Sequence, residues 1–142
     1  MLNTVYRLVE PRRIESEFSD IDVNGDSVLV RPTHLSICNA DQRYFQGTRP
    51  PEVLKKKLPM ALIHEAIGKV IYDPAGDFEP GQKVVMVPNT PMEEDDIVAE
   101  NYLRSSKFRA SGFDGFMQDI VAMRRDRVVA VPDGIDDYVA AF

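Results

Sequence analysis

Cysteine is nearly absent from this chain of 142 residues, which contains only Cys38. A single cysteine excludes an internal disulfide and fits a reducing compartment, so we expect a cytoplasmic protein. Long apolar runs are also missing, because no stretch approaches the roughly 20 apolar residues that a membrane span requires. The N-terminal segment MLNTVYRLVEPRR lacks the basic-then-apolar layout of a signal peptide. These absences argue against a secreted or membrane-embedded protein.

Glycine spacing and net charge argue against two further classes of function. No glycines are spaced as in G-x-G-x-x-G or in a P-loop, so the chain carries no nucleotide-binding fingerprint of its own. The formal net charge of −6 argues against nucleic-acid binding, which favours a basic surface. An anionic substrate is still compatible with this charge, because a local basic pocket can lie within an acidic protein.

The sequence does contain a series of short apolar runs that are typical of β-strands. They are rich in β-branched residues and are bounded by Gly, Pro, Asn or Asp. The predicted strands are residues 4–9, 27–37, 68–73, 83–87, 116–123 and 127–131. Turn sequences such as NGDS and EPGQ separate them. Many short strands joined by turns predict a small, mainly β barrel or sandwich.

Helical signals are few. Residues 39–47 predict a helix of a turn or two, with Asn39 as its cap and Gly47 as its end. Residues 96–106 are a second candidate. A third candidate, residues 136–142, begins at a capping Asp136, but the sequence ends where this helix would gain length. We therefore interpret the chain as a fragment of a longer protein.

Three residues offer sulfur or nitrogen ligands for a metal ion: Cys38, His34 and His64. His64 is followed by Glu65 inside the apolar run LPMALIHEAIG, where a charged pair costs free energy unless something compensates it. A thiolate, an imidazole and a carboxylate would give Zn²⁺ three protein ligands and leave its fourth position open, as in catalytic zinc sites. These residue types therefore allow one catalytic zinc ion.

Other interpretations of the same residues are open at this level. A lone cysteine is often a small buried apolar residue, and a histidine in a strand is often a hydrogen-bonded core residue. Adjacent strand residues also point to opposite faces. His64 and Glu65 can both bind one ion only if the strand begins irregularly or contains a bulge.

Longer motifs resemble a known family. In chain order they are SICNADQRYFQG, LPMALIHEAIGKVI, FEPGQKVVMVPNT and GFDGFMQDIVAMRRDRVVAVPDGI. They are similar to the N-terminal catalytic region of the zinc-dependent medium-chain dehydrogenase/reductases, and closer still to the ribulose-5-phosphate reductases among them. The resemblance implies that residues 1–142 form a GroES-like domain, a mainly β, partly open barrel with short helices that is truncated at its C-terminus. His34 lies outside these motifs, and we expect it to be structural.

The resemblance also implies an activity and its partners. The intact enzyme would reduce D-ribulose 5-phosphate to D-ribitol 5-phosphate with NADPH, for teichoic acid or capsule synthesis. The dinucleotide would be bound by a Rossmann domain that this fragment lacks. The implied partners are a phosphorylated ketose and further copies of the enzyme, without nucleic acid or membrane. The alternatives are a generic zinc-dependent NAD(H) polyol or alcohol dehydrogenase and a non-catalytic GroES-like interaction module.

The resemblance assigns roles to individual residues. Cys38 matches the first zinc ligand of the family, His64 the second, and Glu65 the adjacent carboxylate ligand. Asp41 matches the aspartate that orients the liganding histidine by a hydrogen bond, which would fix the histidine tautomer. Arg43 is a candidate contact for the substrate phosphate, because an arginine fork matches phosphate geometry.

The chain departs from the family pattern at three places. Ala40 stands where a Ser or Thr often relays a proton, which leaves water, Glu65 or a hydroxyl such as Ser36 as the source. Residues 89–112 contain no cysteine where the family has a structural-zinc lobe, so we expect packing to hold this segment and no second zinc. Ile63 replaces the glycine that usually precedes the histidine.

Overall fold

Ten β-strands dominate the computed structural model, which describes residues 1–142. The strands are β1 (Leu2–Glu10), β2 (Arg13–Asp20), β3 (Val28–Ser36), β4 (Met60–Ala61), β5 (Glu65–Tyr72), β6 (Lys83–Met86), β7 (Asn89–Thr90), β8 (Lys107–Phe108), β9 (Val121–Met123) and β10 (Val128–Ala130). The helices are α1 (Asn39–Gln46), α2 (Pro51–Lys57) and α3 (Asp137–Ala140), with a 3₁₀ turn at Arg125–Arg127. This confirms the predicted mainly β fold with short helices. None of the helices has both the length and the apolar character needed to cross a membrane.

The central sheet has five antiparallel strands in the order β10–β6–β5–β3–β9 and curls into a half-barrel. Its inner face forms the main core, because alternate side chains of each strand point to the same side. The core consists of Val28, Val30, Ala66, Val70, Val84, Met86, Phe116, Val121, Met123 and Val128. β-Branched residues are frequent in this set since they fit a pleated, buried surface.

A second sheet, in the order β2–β1–β4, packs a smaller core against α1. Its buried members are Leu8, Tyr44, Met60, Leu62 and Ile63. Leu62 and Ile63 belong to the connection between β4 and β5, so this core fixes the backbone that leads into β5. That connection carries His64.

Several predicted elements differ from the structure. Residues 96–106 form no helix, because the buried Asn101 side chain donates to Glu93 O and Asp95 accepts from the backbone N–H groups of Ile97 and Val98. Such local side-chain bonds compete with helix formation.

Other differences concern the strands and one helix. Of the predicted strand 116–123, only β9 forms a regular strand. The sequence analysis also missed β2, whose outer residues are mostly polar and exposed, and α2, which begins at a proline.

The segment of residues 89–112 is held by a buried polar network in addition to packing. Asn89 Nδ2 donates to Asn101 O at 2.9 Å. Arg127 Nη1 donates to Asn89 O at 3.3 Å, and its guanidinium forms an ion pair with Glu100. These bonds join the segment to the turn before β10, so its position relative to the central sheet is fixed.

Candidate metal and active site

The candidate ligands Cys38 and His64 come together from two different connections. Cys38 is the N-cap of α1, just after β3, and His64 immediately precedes β5. The two strands are neighbours, with Ser36 paired to Glu65. The end of β3 and the start of β5 therefore lie at the same edge of the sheet, and Cys38 Sγ is 3.7 Å from His64 Nε2.

Glu65 reaches the same place because β5 begins irregularly. Ile63 has a φ of +72°, in the left-handed region that β-branched residues rarely adopt. After this turn Glu65 Oε1 lies 3.9 Å from His64 Nε2, although the two residues are adjacent in sequence. The irregular strand start that the sequence analysis required is therefore present. The same φ explains why glycine would be expected at position 63, since glycine adopts it without a steric cost.

Asp41 ties the two ligand-bearing segments together. Its side chain is buried, with 3% of the residue exposed. Asp41 Oδ2 accepts a hydrogen bond from Cys38 N–H at 3.0 Å, and Oδ1 accepts one from Ile63 N–H at 2.8 Å. The resemblance assigns to this residue a hydrogen bond with the histidine ring, whereas both bonds in the structure go to the main chain. Asp41 thus sets the separation of the ligands through their backbones.

The donor atoms fit a zinc ion. Cys38, Asp41 and His64 each present a ligand atom, and these atoms lie within 4.8 Å of one another. Distance alone thus groups Asp41, and not Glu65, with the other two, although both Asp41 oxygens already accept main-chain N–H groups. Tetrahedral zinc, with bonds of about 2.3 Å to sulfur and about 2.0–2.1 Å to nitrogen, places those two atoms roughly 3.5–3.6 Å apart. The Cys38–His64 distance of 3.7 Å agrees with this value.

A cavity of about 350 Å³ adjoins these side chains. His64 and Glu65 line it together with Tyr102, Phe108 and Phe142. The Phe108 ring packs edge-on against the His64 imidazole, with 5.3 Å between the ring centroids. The mostly apolar walls create a place where electrostatic interactions are stronger than in water.

A second cavity, of about 450 Å³, is more apolar. Ile37 and Ile63, which precede Cys38 and His64, contribute to its walls together with Asp41. The only candidate ligand in this lining is the Asp41 carboxylate, whose oxygens are both hydrogen-bonded to the main chain. We therefore assign the chemistry to the cavity that contains His64 and Glu65.

The remaining sequence candidates lie outside that cavity. Arg43 is exposed in the last turn of α1, and its side chain makes no hydrogen bond or ion pair. His34 packs against Tyr138, with 5.2 Å between ring centroids, and is not brought to Cys38. Ser36 is the cross-strand partner of Glu65 but lines a different cavity.

Sequence reasoning missed the aromatic residues of the site. Phe108 and Tyr102 both come from the segment of residues 89–112, and their ring centroids are 6.4 Å apart. No local pattern marks either residue, because their place at the site depends on the long-range network through Asn101 and Arg127.

A half-buried carboxylate, Asp114, and a buried guanidinium, Arg109, support the backbone behind the site. Burial alone would raise the pKa of Asp114. Hydrogen bonds from Arg7 and from Ala61 N–H outweigh that effect, so the pKa of this carboxyl lies below its usual value. Burial lowers the pKa of Arg109 to about 10. The Arg109 guanidinium lies 4.4 Å from the centroid of the Phe113 ring and donates to Asp114 O. Both charges lie next to residues 115–117, whose N–H groups donate to the backbone of residues 61–63, just before His64.

Comparison with known proteins identifies the family. Residues 24–133 match the alcohol dehydrogenase GroES-like domain, and the chain belongs to this family. It is 61% identical over 142 residues to the ribulose-5-phosphate reductase of Bacillus spizizenii, covering 100% of this chain and 42% of the relative. It is 58% identical over 136 residues to ribulose-5-phosphate reductase 2 of Staphylococcus aureus, covering 96% and 40%. The resemblance that the motifs indicate is thus confirmed, and the chain spans about two fifths of these relatives.

Solved structures give the same result. The crystal structure of S. aureus TarJ in complex with NADPH has a TM-score of 0.79 and 44% identity, covering 100% of this chain and 37% of that one. L-Idonate 5-dehydrogenase from Escherichia coli has a TM-score of 0.87 and 26% identity, covering 100% and 43%. The half-barrel and its short helices are therefore shared with dehydrogenases of this family.

Replacing Asp41 by asparagine should weaken the site without removing a proposed ligand. An asparagine offers only one acceptor oxygen, so its NH₂ group would face the N–H of Cys38 or of Ile63. We expect a loss of about 1–3 kcal/mol in unfolding free energy and about 10–100-fold weaker zinc binding. Urea unfolding and competition with a chromogenic chelator measure the two effects. The same substitution at the exposed Asp133 is the control. Equal unfolding free energies and equal zinc affinities in the two variants would contradict the role given to Asp41.

Proposed function

We propose that residues 1–142 are the catalytic, GroES-like domain of a reductase that converts D-ribulose 5-phosphate to D-ribitol 5-phosphate with NADPH, for teichoic acid or capsule synthesis. The observation that carries this proposal is the 61% identity to a ribulose-5-phosphate reductase along the whole chain. The NADPH in the structure of TarJ, 44% identical, supports the choice of cofactor. Because the chain spans 42% of that reductase, we assign NADPH binding to a further domain.

The proposal includes one catalytic zinc ion held by Cys38, His64 and Glu65. When bound, Zn²⁺ acts as a Lewis acid on a substrate carbonyl oxygen. Asp41 would keep Cys38 and His64 at ligand distance through the main chain. Phe108 would exclude water from one face of the imidazole and keep the local dielectric low. The support for this set is the 3.7 Å and 3.9 Å spacing of its donor atoms.

The remaining parts of the proposal concern the partners. The substrate would be a phosphorylated ketose, and Arg43 stays a predicted phosphate contact, supported by its lack of an ion pair and its place on α1, whose N-cap is Cys38. The net charge of −6 supports the absence of a nucleic-acid partner. We further propose a cytoplasmic homo-oligomer that does not associate with membranes, on the basis of the family resemblance.

A generic polyol dehydrogenase is the second candidate. Part of the chain, 71 residues, is 38% identical to the L-idonate 5-dehydrogenase of E. coli, and the structure of that enzyme superimposes with a TM-score of 0.87. The metal site would be the same in both cases. The two candidates differ in whether a phosphate on the substrate is required.

The test is substrate profiling of the full-length enzyme by loss of NADPH absorbance. We expect kcat/KM for D-ribulose 5-phosphate to exceed that for D-ribulose by at least about a hundredfold, because a site built for a phosphate leaves buried polar groups unpaired without it. Residues 1–142 alone are the control and should turn over neither ketose, because they carry no dinucleotide fingerprint. Equal use of both ketoses would favour the polyol dehydrogenase. No turnover, together with a metal content that Cys38→Ser leaves unchanged, would favour the interaction module.

A further inference from the structure

The proposed reduction needs a proton that the expected relay position does not supply. Hydride addition to a ketone leaves an alkoxide, which must gain one proton to become the alcohol. Ala40 has no exchangeable proton. Metal ligands are held as thiolate, neutral imidazole and carboxylate, so Cys38, His64 and Glu65 are not free donors in the zinc-bound state. The proton must come from another group at the cavity or from water.

Tyr102 is the one hydroxyl-bearing residue that lines the cavity of His64 and Glu65. The other lining side chains contain only carbon, hydrogen or sulfur: Ala66, Val85, Met86, Val87, Pro88, Phe108, Ala140, Ala141 and Phe142. Ser36, the hydroxyl considered from sequence, lines a different cavity. The cavity lining therefore offers one candidate donor besides water.

The backbone of Tyr102 is fixed although its side chain is accessible. The preceding residue, Asn101, is 4% exposed, and its side chain donates to Glu93 O at 2.9 Å. The Tyr102 ring centroid lies 6.4 Å from that of Phe108, and the Phe108 centroid lies 5.3 Å from that of His64, so Phe108 is next to both rings. Tyr102 itself is 74% exposed, and its hydroxyl makes no hydrogen bond within the protein. The hydroxyl is thus free to bond a substrate oxygen and to exchange its proton with solvent.

We infer that Tyr102 is the general acid of the proposed reduction. Hydride from the reduced nicotinamide dinucleotide forms the new C–H bond, and the carbonyl π electrons become a lone pair of the alkoxide. The Tyr102 O–H bond then breaks, its proton forms the O–H bond of the alcohol, and the phenolate regains a proton from water. In the oxidative direction the phenolate accepts the proton from the alcohol. This inference rests on the proposed function.

The experiment compares Tyr102→Phe with wild type in the full-length, zinc-loaded enzyme. Phenylalanine keeps the ring against Phe108 and removes only the hydroxyl. We expect kcat to fall by roughly a hundredfold, the lower end of general acid catalysis, in both reduction and oxidation. Zinc content, the KM for the ketose and the Kd for NADPH should stay within about twofold of wild type, because none of them depends on proton transfer. Tyr72→Phe is the matched control, since Tyr72 is a half-exposed tyrosine of β5 that lines neither cavity, and it should leave kcat unchanged.

The outcomes separate this inference from the proposed function. A wild-type enzyme that reduces D-ribulose 5-phosphate, together with a Tyr102→Phe variant of normal kcat, would overturn the proton-donor role alone. A rise in KM with an unchanged kcat would also overturn it, because Tyr102 would then only shape the cavity. A wild-type enzyme that does not reduce the ketose would overturn both proposals.

Discussion

His64→Asn should remove the zinc ion from the folded protein, whereas His34→Asn should leave it in place. The chain contains only these two histidines, so the pair is a matched test. His64 Nε2 lies 3.7 Å from Cys38 Sγ and 3.9 Å from Glu65 Oε1. A neutral carboxamide is a poor ligand for Zn²⁺, which binds thiolate, imidazole and carboxylate. His34 Nδ1 instead lies 3.1 Å from Thr33 Oγ1, and its ring packs on Tyr138.

Mass spectrometry of the protein purified at neutral pH without chelator measures this effect. We expect about one zinc ion per chain in wild type and in His34→Asn, and less than about a tenth of that in His64→Asn. Zinc added at a hundred times its Kd to metal-free wild type should stabilise the protein by about 2.7 kcal/mol, since the ion binds only the folded state. The His64→Asn variant should show no such gain. Equal zinc content in both histidine variants would refute the ligand assignment.

The parts of the fold that could be predicted from sequence are those with local signals. The helix predicted at residues 39–47 is α1, although its N-cap is Cys38 rather than the predicted Asn39. Gly47 ends it with a φ of +74°, as a glycine C-cap does. Runs such as 83–87 and 127–131 contain β6 and β10, because β-branched residues and flanking turns act over a few positions. The proximity of Cys38 and His64 depends on the pairing of β3 with β5, which these local signals do not give, and only the family resemblance implied it.

The parts that could not be predicted depend on long-range contacts. The helix expected at residues 96–106 is absent because Asn101 is buried in a network with Asn89 and Glu93, which lie outside that window. The same network brings Tyr102 to the site. The main-chain bonds of Asp41 likewise join residues that are 22 positions apart. Periodicity carries no information about such pairs.

Gly115→Ala should cause the largest loss of stability among the substitutions considered. A Cβ at position 115 would lie 2.3 Å from Ile63 O and 2.4 Å from Leu62 O, both main-chain atoms. The two backbone segments cannot separate easily, because Gly115 N–H donates to Ala61 O at 2.8 Å and Phe116 N–H donates to Ile63 O at 2.7 Å. Gly115 does not have a left-handed φ, so its backbone conformation does not require glycine. Glycine is needed because the two backbone segments approach too closely for a Cβ.

We expect Gly115→Ala to lose about 3 kcal/mol of unfolding free energy in urea titrations. The control, Gly25→Ala, should stay within about 0.5 kcal/mol, because its nearest neighbour would be 3.4 Å away and its φ is ordinary. The displaced carbonyls belong to the residues just before His64, so zinc binding should weaken in the molecules that still fold. A variant as stable as Gly25→Ala, with normal zinc affinity, would contradict the close approach. A variant that is less stable but binds zinc normally would show that the ligand geometry is held by Asp41 rather than by this contact.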